Sequence, residues 1–481
     1  MLTTGDVISI VFFLSTLLVL LSGLPIAFSL AGLSLIFAGI GWLFGVFDFS
    51  TLFNLPLRYF GTMTNEVLVA VPLFILMGNV LERSGIAEAL LITTGKLFGA
   101  LRGGLGYSVI LVGALLAAST GVVGATVAAM TVIALPAMLR AGYQPRLATG
   151  IICSSATLAQ IIPPSTVLIF TADILSAVNQ MAQMRLGNYT ASTLSAGELF
   201  AGALLPGLVL VALYLIFVFA KSIFQPSTCP AMVISDEERR DLLRDVVISL
   251  LPPLLLIVAV LGSILVGIAT PTESASIGVF GATLLAILNR KLSWRSALEA
   301  GRNTIVTTAM IFAIVLAASL FALTFRGLGG EHMVEQALRN MPGGVTGAIL
   351  TVMAVMFVLG FFLDTFEIIL IMLPICGGPL ILLGVDPIWL GVLVAMNLQT
   401  SFLTPPFGYA LFYMRGLAPE SVKTTEIWAG AVPFVALQLT GVAILWTFPS
   451  LATSVAKRAP ALKLLLNGRC LALPKLPTSP R

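Results

Sequence analysis

Long apolar runs separated by short charged stretches set the frame of this 481-residue chain. A run of about 20 apolar residues can cross a bilayer as a helix. Residues 7–23, 24–47, 66–81 and 199–220 read as spans in the first half, and residues 246–268, 274–289, 304–325 and 424–449 in the second. Two runs are interrupted instead. Ser119-Thr120-Gly121-Val122-Val123-Gly124-Ala125-Thr126 separates apolar arms 107–118 and 127–139, each too short to cross alone, the second ending at Pro136. Gly360-Phe361-Phe362-Leu363-Asp364-Thr365-Phe366-Glu367 separates arms 344–359 and 368–383 in the same way. Half-length arms around a small polar tip predict a re-entrant hairpin. Irregular backbone survives at membrane depth only where protein buries it or a wet cavity solvates it, so each tip is a candidate site. The alternative is one continuous helix with a small-residue packing face.

Prolines and charges divide the rest. Helix 147–162 stops at Pro163-Pro164 and resumes over 165–175, and 389–404 runs into Pro405-Pro406; paired prolines break the hydrogen-bond ladder and release carbonyls. Residues 48–64 form an amphipathic link carrying Arg58, 82–106 and 326–342 form charged surface arms, 290–302 is a basic link, and 176–197 is a polar one. The most charged linker, 221–245, contains Asp236-Glu237-Glu238-Arg239-Arg240-Asp241 and separates two similar halves. Leu135-Pro136 matches Leu373-Pro374, Gly142-x-x-Pro145 matches Gly384-x-x-Pro387, and Pro145 precedes Pro163 by the same distance as Pro387 precedes Pro405. These matches predict an internal duplication: a first repeat over 1–230 with its hairpin near 107–140, a charged cytoplasmic linker over 231–245, a second repeat over 246–450 with its hairpin near 344–383, and a basic tail over 451–481. Five crossings plus one hairpin per repeat make the second inverted relative to the first, the plan of secondary transporters.

Lys and Arg orient the chain. The linkers of one face carry most of them, including Arg83, Lys96, Arg102, Arg140, Arg146, Lys221 and Arg302, whereas the other face's linkers carry Arg58, Arg185, Arg326 and Arg339. The richer face is expected to be cytoplasmic, with both termini outside, the first hairpin opening inward and the second outward. The basic tail then lies on the outer side, against the rule.

Composition narrows the class. The chain is 58% hydrophobic and 10% charged, with a mean hydropathy of +1.07, which defines an all-α polytopic membrane protein. A transmembrane barrel would show short alternating segments instead. The net charge of +4 carries no nucleic-acid footprint. Cys153, Cys229, Cys376 and Cys470 lack metal-ligand spacing. The single histidine, His332, stands in Glu331-His332-Met333-Val334-Glu335, which is not a zinc motif. The first apolar run reads as a span rather than a cleaved signal. An intramembrane enzyme would need a nucleophile–base pair or metal set, and a channel a filter loop; neither pattern is present.

What remains is oxygen. A hard cation takes several oxygen ligands, and broken helices add carbonyls to Ser, Thr and Asn side chains. The first tip supplies Ser119, Thr120, Gly121, Gly124 and Thr126, facing Ser154, Ser155 and Thr157; the second supplies Gly360, Asp364 and Thr365, facing Asn397, Thr400 and Thr404. For any single hydroxyl the bland explanation is helix packing with a bond to its own ladder. Asp364 and Glu367 are costly inside hydrocarbon unless functional or unless the tip reaches the interface. Glu273 is expected to cap the helix that starts at Pro271. Helix N-termini at the tips suit an anionic substrate.

Three motifs together carry a resemblance: Gly267-Ile268-Ala269-Thr270-Pro271-Thr272-Glu273, Ile161-Ile162-Pro163-Pro164-Ser165, and Asn397-Leu398-Gln399-Thr400-Ser401-Phe402-Leu403-Thr404-Pro405-Pro406-Phe407-Gly408. From about residue 7 to 449 the chain resembles the large membrane subunit of tripartite ATP-independent periplasmic (TRAP) transporters. The resemblance implies an elevator-type importer of small organic anions in the bacterial inner membrane, with Na+ as coupling ion and no other cofactor. It also implies two partners, a periplasmic substrate-binding protein and a small four-span membrane subunit. One sodium site is implied around Ser119, Ser155, Thr157 and Pro163, and a second around Gly360, Asn397, Thr400 and Thr404. Thr120, Gly121, Gly124, Thr126, Gln160, Asp364, Thr365 and Gln399 are the implied substrate contacts. The first tip is poorer in serine than the family's usual one and lacks its following aspartate. The long 176–197 link resembles the subgroup labelled for mannitol or chloroaromatic compounds. The runner-up is a stand-alone sodium–carboxylate symporter without a binding protein.

Overall fold

In the computed structural model, which describes residues 3–120, 122–189, 193–232 and 242–456, all regular structure is helical. The first half runs α1 (Thr4–Leu21), α2 (Ile26–Leu43), a short α3 (Leu55–Met63), α4 (Ala70–Arg83) and the arm α5 (Ile86–Phe98). Then come α6 (Gly104–Thr120) and α7 (Val123–Arg140), α8 (Pro145–Thr157) and α9 (Thr166–Arg185) on either side of the first double proline, and α10 (Ala196–Phe224). The second half runs α11 (Leu251–Val266), α12 (Pro271–Leu288), α13 (Trp294–Gly327), the arm α14 (Gly330–Arg339), α15 (Gly344–Leu359), α16 (Thr365–Leu382), α17 (Pro387–Leu403), α18 (Tyr409–Leu417) and α19 (Thr424–Thr447). Among the described residues nine helices are long and apolar enough to cross a membrane, or ten if α4 and α5 count as one bent span.

Local chemistry places the ends. Thr3 and Asp6 close a capping box on α1, as Ser195 and Glu198 do on α10 and Thr270 and Glu273 on α12. Glu273 is therefore a capping residue, its Oε2 accepting from the Thr270 backbone at 2.7 Å. Pro145 and Pro387 open α8 and α17 at equivalent positions, where a missing N–H costs nothing. Each arm starts from a glycine in the left-handed region, Gly85 before α5 and Gly329 before α14, a conformation that only glycine adopts cheaply.

The halves interlock by exchange. α2 packs on α13 and α4 on α12; α8 packs on α19 and α10 on α17; α9 packs on α16 and α7 on α18. Each pair becomes the other when the halves are swapped. The tightest crossing is α8 on α19, where a Cβ on Gly150 or on Gly430 would collide with backbone of the facing helix; such approach is how membrane helices gain packing energy. α8, α16 and α17 are almost wholly buried. The outer faces of α1, α2 and α10 expose large apolar residues such as Leu18, Phe28, Trp42 and Phe219.

Several boundaries differ from expectation. α7 does not stop at Pro136 but continues to Arg140, because membrane helices tolerate a proline where neighbours re-satisfy the ladder. The expected third span is shorter: helix begins only at Ala70 and turns by 64° into the arm. Its counterpart α13 is a single helix of 34 residues that absorbs most of the 290–302 link, held by a Ser293–Ser296 capping box and by ion pairs of Glu299 with Arg83 and Arg295. The polar 176–197 link is half helix: α9 reaches Arg185 because Leu175, Val178, Asn179 and Ala182 form a buried stripe at helical spacing. The acidic–basic run 236–241 and the tail beyond residue 456 lie outside the described residues.

Candidate functional site

The first hairpin is closed at its base. The Tyr143 hydroxyl, just beyond α7, accepts from the Gly106 N–H at the start of α6, 3.1 Å away. Gly103, before α6, and Gln144, after α7, both donate to the same strap, to the carbonyls of Cys229 and Thr228. The chain thus enters and leaves together, and 119–126 is a tip. The interruption is narrower than expected. Ser119 and Thr120 belong to α6, while Gly124 and Thr126 lie in the first turn and a half of α7. Gly121, and the side chains of Ser119 and Thr120, fall outside the described part. α6 lies on α8 through Gly113, where a Cβ would stand 2.5 Å from that of Ser155.

The N-terminus of α7 has no side-chain cap among the described residues: Val122 precedes it in extended conformation. Its first-turn N–H groups and the positive end of an 18-residue helix point out of the tip. Gly124 is bare for a reason, since a Cβ would lie 2.9 Å from the Tyr413 ring of α18.

The second tip is built differently. α15 ends at Gly360, packed so closely on α17 that a Cβ would meet Ser401 Oγ at 2.5 Å. Two bonds fix α15 to α17: Asn397 Nδ2 donates to the Met353 carbonyl at 2.9 Å and Ser401 Oγ to the Phe357 carbonyl at 2.5 Å. α17 itself ends one turn later, at Thr404. Two helix C-termini therefore come together, and the last carbonyls of α15 are taken up by turn and side-chain bonds, Met356 O from the Gly360 N–H, Phe357 O from Ser401 Oγ, Val358 O from the Phe361 N–H and Leu359 O from the Phe362 and Leu363 N–H groups, which leaves each a second lone pair. Asp364 is the N-cap of α16, and the buried Glu367 reaches back so that its Oε2 accepts from the Asp364 N–H at 3.3 Å. The Glu367 carboxylate thus has a structural partner in the helix end it caps.

The tips are joined through the broken helices. Gln160 Nε2, at the end of the first break, donates to Thr365 Oγ1 at 2.8 Å. Phe170 of α9 packs edge-on against Phe366. Tyr409 and Tyr413 of α18 share a hydrogen bond of 3.2 Å between their hydroxyls; Tyr413 meets Gly124 of the first tip, and Tyr409 lies within electrostatic reach of Asp364 and Glu367 of the second. These two tyrosines escape a search for oxygen-rich tips, because their stretch reads as an unremarkable continuation of a proline-broken helix.

Other expected ligands bond within their own helices. Ser155 donates to Ile151 O at 2.6 Å, Thr400 to Met396 O at 2.9 Å, Thr404 to Thr400 O at 2.7 Å, and Thr126 to Val122 O at 2.9 Å; donating leaves a hydroxyl able to accept as well. Pro163 shares a cis bond with Pro164, as Pro405 does with Pro406. Thr157 and Gln399 bond elsewhere. They meet Tyr214 of α10 and Gln438 of α19 in a buried cluster: Gln438 Nε2 donates to Tyr214 Oη at 2.8 Å and to Thr157 Oγ1 at 3.1 Å, and Gln399 Nε2 to Tyr214 Oη at 3.4 Å. The network ties α8, α10, α17 and α19 together. The Gly267–Glu273 motif also lies away from the tips. It lines a groove of about 830 Å³ with Asp173, whose Oδ1 accepts from Asn65 Nδ2 at 2.6 Å.

Paired hairpins, paired broken helices and exchanged contacts are the build of a polytopic secondary-transporter fold. The sequence agrees. It matches the family described as "Tripartite ATP-independent periplasmic transporter, DctM component" over residues 13–451, and the chain belongs to that family. Among its relatives is the C4-dicarboxylate TRAP transporter large permease protein DctM of Pseudomonas aeruginosa, 30% identical over 84% of this chain and 89% of that one. Another is the ectoine TRAP transporter large permease protein TeaC of Halomonas elongata, 28% identical over 90% and 95%. In fold the chain is similar to the Alcanivorax borkumensis YdaH transporter, with a TM-score of 0.55 at 12% identity over 84% of this chain and 89% of that one.

Proposed function

We propose that this chain is the large permease subunit of a sodium-coupled importer of small organic anions in the bacterial inner membrane. It receives substrate from a periplasmic binding protein and assembles with a small four-span membrane subunit. The observation that carries the ion assignment is the convergence of helix C-termini at Gly360 and Ser401. Converging carbonyl ends, with Asn397, Thr400, Thr404 and the Asp364 carboxylate close by in sequence and fold, suit a desolvated monovalent cation. The residues fit sodium as ligands of oxygen only. A bound ion would supply positive charge beside the second tip and so lower the cost of bringing an anion between the two. A second ion would be held near the first tip by Ser119, Ser155 and the carbonyls released ahead of Pro163.

The anion belongs at the N-terminus of α7, which no described side chain caps, near Gly124, Thr126 and Tyr413. The exchanged contacts support two repeats of opposite orientation, with a hairpin opening to each side. An elevator motion would carry both hairpins and the broken helices against the α2–α13 and α4–α12 pairs. Relatives named for C4-dicarboxylate and ectoine support a small carboxylate-bearing substrate. The test is uptake into liposomes containing both membrane subunits, driven by the loaded binding protein. A sodium gradient is expected to drive accumulation, and equal rates with and without the gradient would remove the coupling. Uptake that proceeds unchanged without the binding protein would make the chain a self-sufficient symporter.

A further inference from the structure

A groove of about 860 Å³ lies far from the hairpin tips, between the end of α5, the start of α6 and the last turns of α10. Phe98, Leu111, Leu215, Phe219 and Ile223 form its walls, and Arg102 stands at one end beside Ser222. The long apolar helix α10 ends there, at Phe224. The base of the first hairpin, the turn after α7 and the strap after α10 meet there, joined by bonds from Gly103 to Cys229, Gln144 to Thr228 and Met232 to Gly99. Lys221, one turn before the end of α10, is turned toward its own helix, its Nζ donating to Gln225 at 2.7 Å. Among the described residues Arg102 is exposed, and no carboxylate pairs with it.

We propose that the groove holds an anionic phospholipid, with its phosphate on Arg102 and one acyl chain along α10. From Ser222 to Leu215 the helix rises roughly 10 Å, room for a good part of a chain in the hydrocarbon layer. A guanidinium at headgroup depth pairs with phosphate in a planar, two-pronged geometry. A membrane helix is the poorer occupant, because helix–helix contacts use small residues and this groove is walled by bulky ones. The lipid would wedge between the arm and the first hairpin, two elements joined by the Gly99–Gly103 turn. The inference stands apart from the ion coupling proposed above.

The test is lipid retention by the full chain purified from membranes, measured by native mass spectrometry after exchange into mixed phosphatidylglycerol and phosphatidylcholine. The wild type is expected to retain phosphatidylglycerol over phosphatidylcholine by about fivefold, the worth of one basic side chain at a membrane surface. Arg102→Gln should abolish the preference while leaving total retention in place. Leu111→Trp with Leu215→Trp should fill the groove and lower retention of both lipids, with thermal stability checking the fold. An unchanged preference in Arg102→Gln, or undiminished retention in the tryptophan pair, overturns the proposal. So does loss of the preference on adding inorganic phosphate, which would make this a site for the small anion, or displacement of the lipid by the small membrane subunit.

Discussion

The two hairpin tips occupy equivalent places in the two halves and are finished in opposite ways. At the first, α7 begins after Val122 with no side-chain cap among the described residues and with a bare Gly124 against Tyr413. At the second, α16 begins with its own carboxylates, Asp364 at the N-cap and Glu367 folded back onto it. A helix N-terminus already carrying anionic groups has little to offer an anion. One whose N–H groups are not met by a carboxylate keeps its positive end for an anion. The same fold element thus presents two polarities, and the division proposed above, a cation at one tip and an anion at the other, rests on that difference.

The largest break of this contrast comes from filling the first tip. Gly124→Leu forces Tyr413 aside and should lower uptake at least tenfold, given that overpacking costs about 1–3 kcal/mol. Adding Tyr413→Ala should recover part of the loss; no recovery would show that the Gly124–Tyr413 contact is not what limits transport. Next, Val122→Asp makes the first tip resemble the second. Stability should rise by about 0.5–2 kcal/mol, the worth of an N-cap, while uptake falls several-fold because the new carboxylate occupies the helix end. A variant that gains stability and transports normally would place the anion elsewhere.

A smaller effect separates cap from charge at the second tip. Asp364→Asn keeps a good N-cap and removes the carboxylate, whereas Asp364→Ala removes both. If the charge helps hold sodium, both variants lose sodium-dependent thermal stabilisation, and only the alanine variant loses about 1 kcal/mol in sodium-free buffer. Sodium-dependent stabilisation that survives in both, and in Asn397→Ala, would remove the second site. Last, a double-mutant cycle of Gln160→Leu and Thr365→Val should give a coupling of about 0.5–1.5 kcal/mol in unfolding. Zero coupling would mean that the bond between the first break and the second tip contributes nothing.

Much of the fold was legible because the bilayer is a strict reader of local sequence. The apolar runs, the two interruptions and the two double prolines fall where the helices and breaks fall. The equal spacing from Pro145 to Pro163 and from Pro387 to Pro405 returns as α8 and α17, each opened by its proline. The errors have local causes as well. Pro136 looked like a stop because soluble helices stop there, and Ser176 to Arg185 looked like a link because its polar residues hide a stripe of Leu175, Val178 and Ala182. The site was less legible. Asp364 and Glu367 stood out as acids in an apolar run, but their capping role needed the geometry of α16. Tyr214 and Gln438 each interrupt an apolar span with a polar group, a signal that drew no attention because no partner was in view.

By itself the chain determined where its apolar helices run, where they break and which positions carry oxygen, because span length and backbone hydrogen bonding in hydrocarbon are properties of short segments. Only the tertiary structure decided which oxygens meet. Gln160 and Thr365 are 205 residues apart and Gln438 and Tyr214 are 224 apart, and such pairings depend on where helices from opposite halves cross. No periodicity within a segment records that crossing, so the bonds of Thr157 and Gln399 to side chains of α10 and α19 could not be read from the sequence.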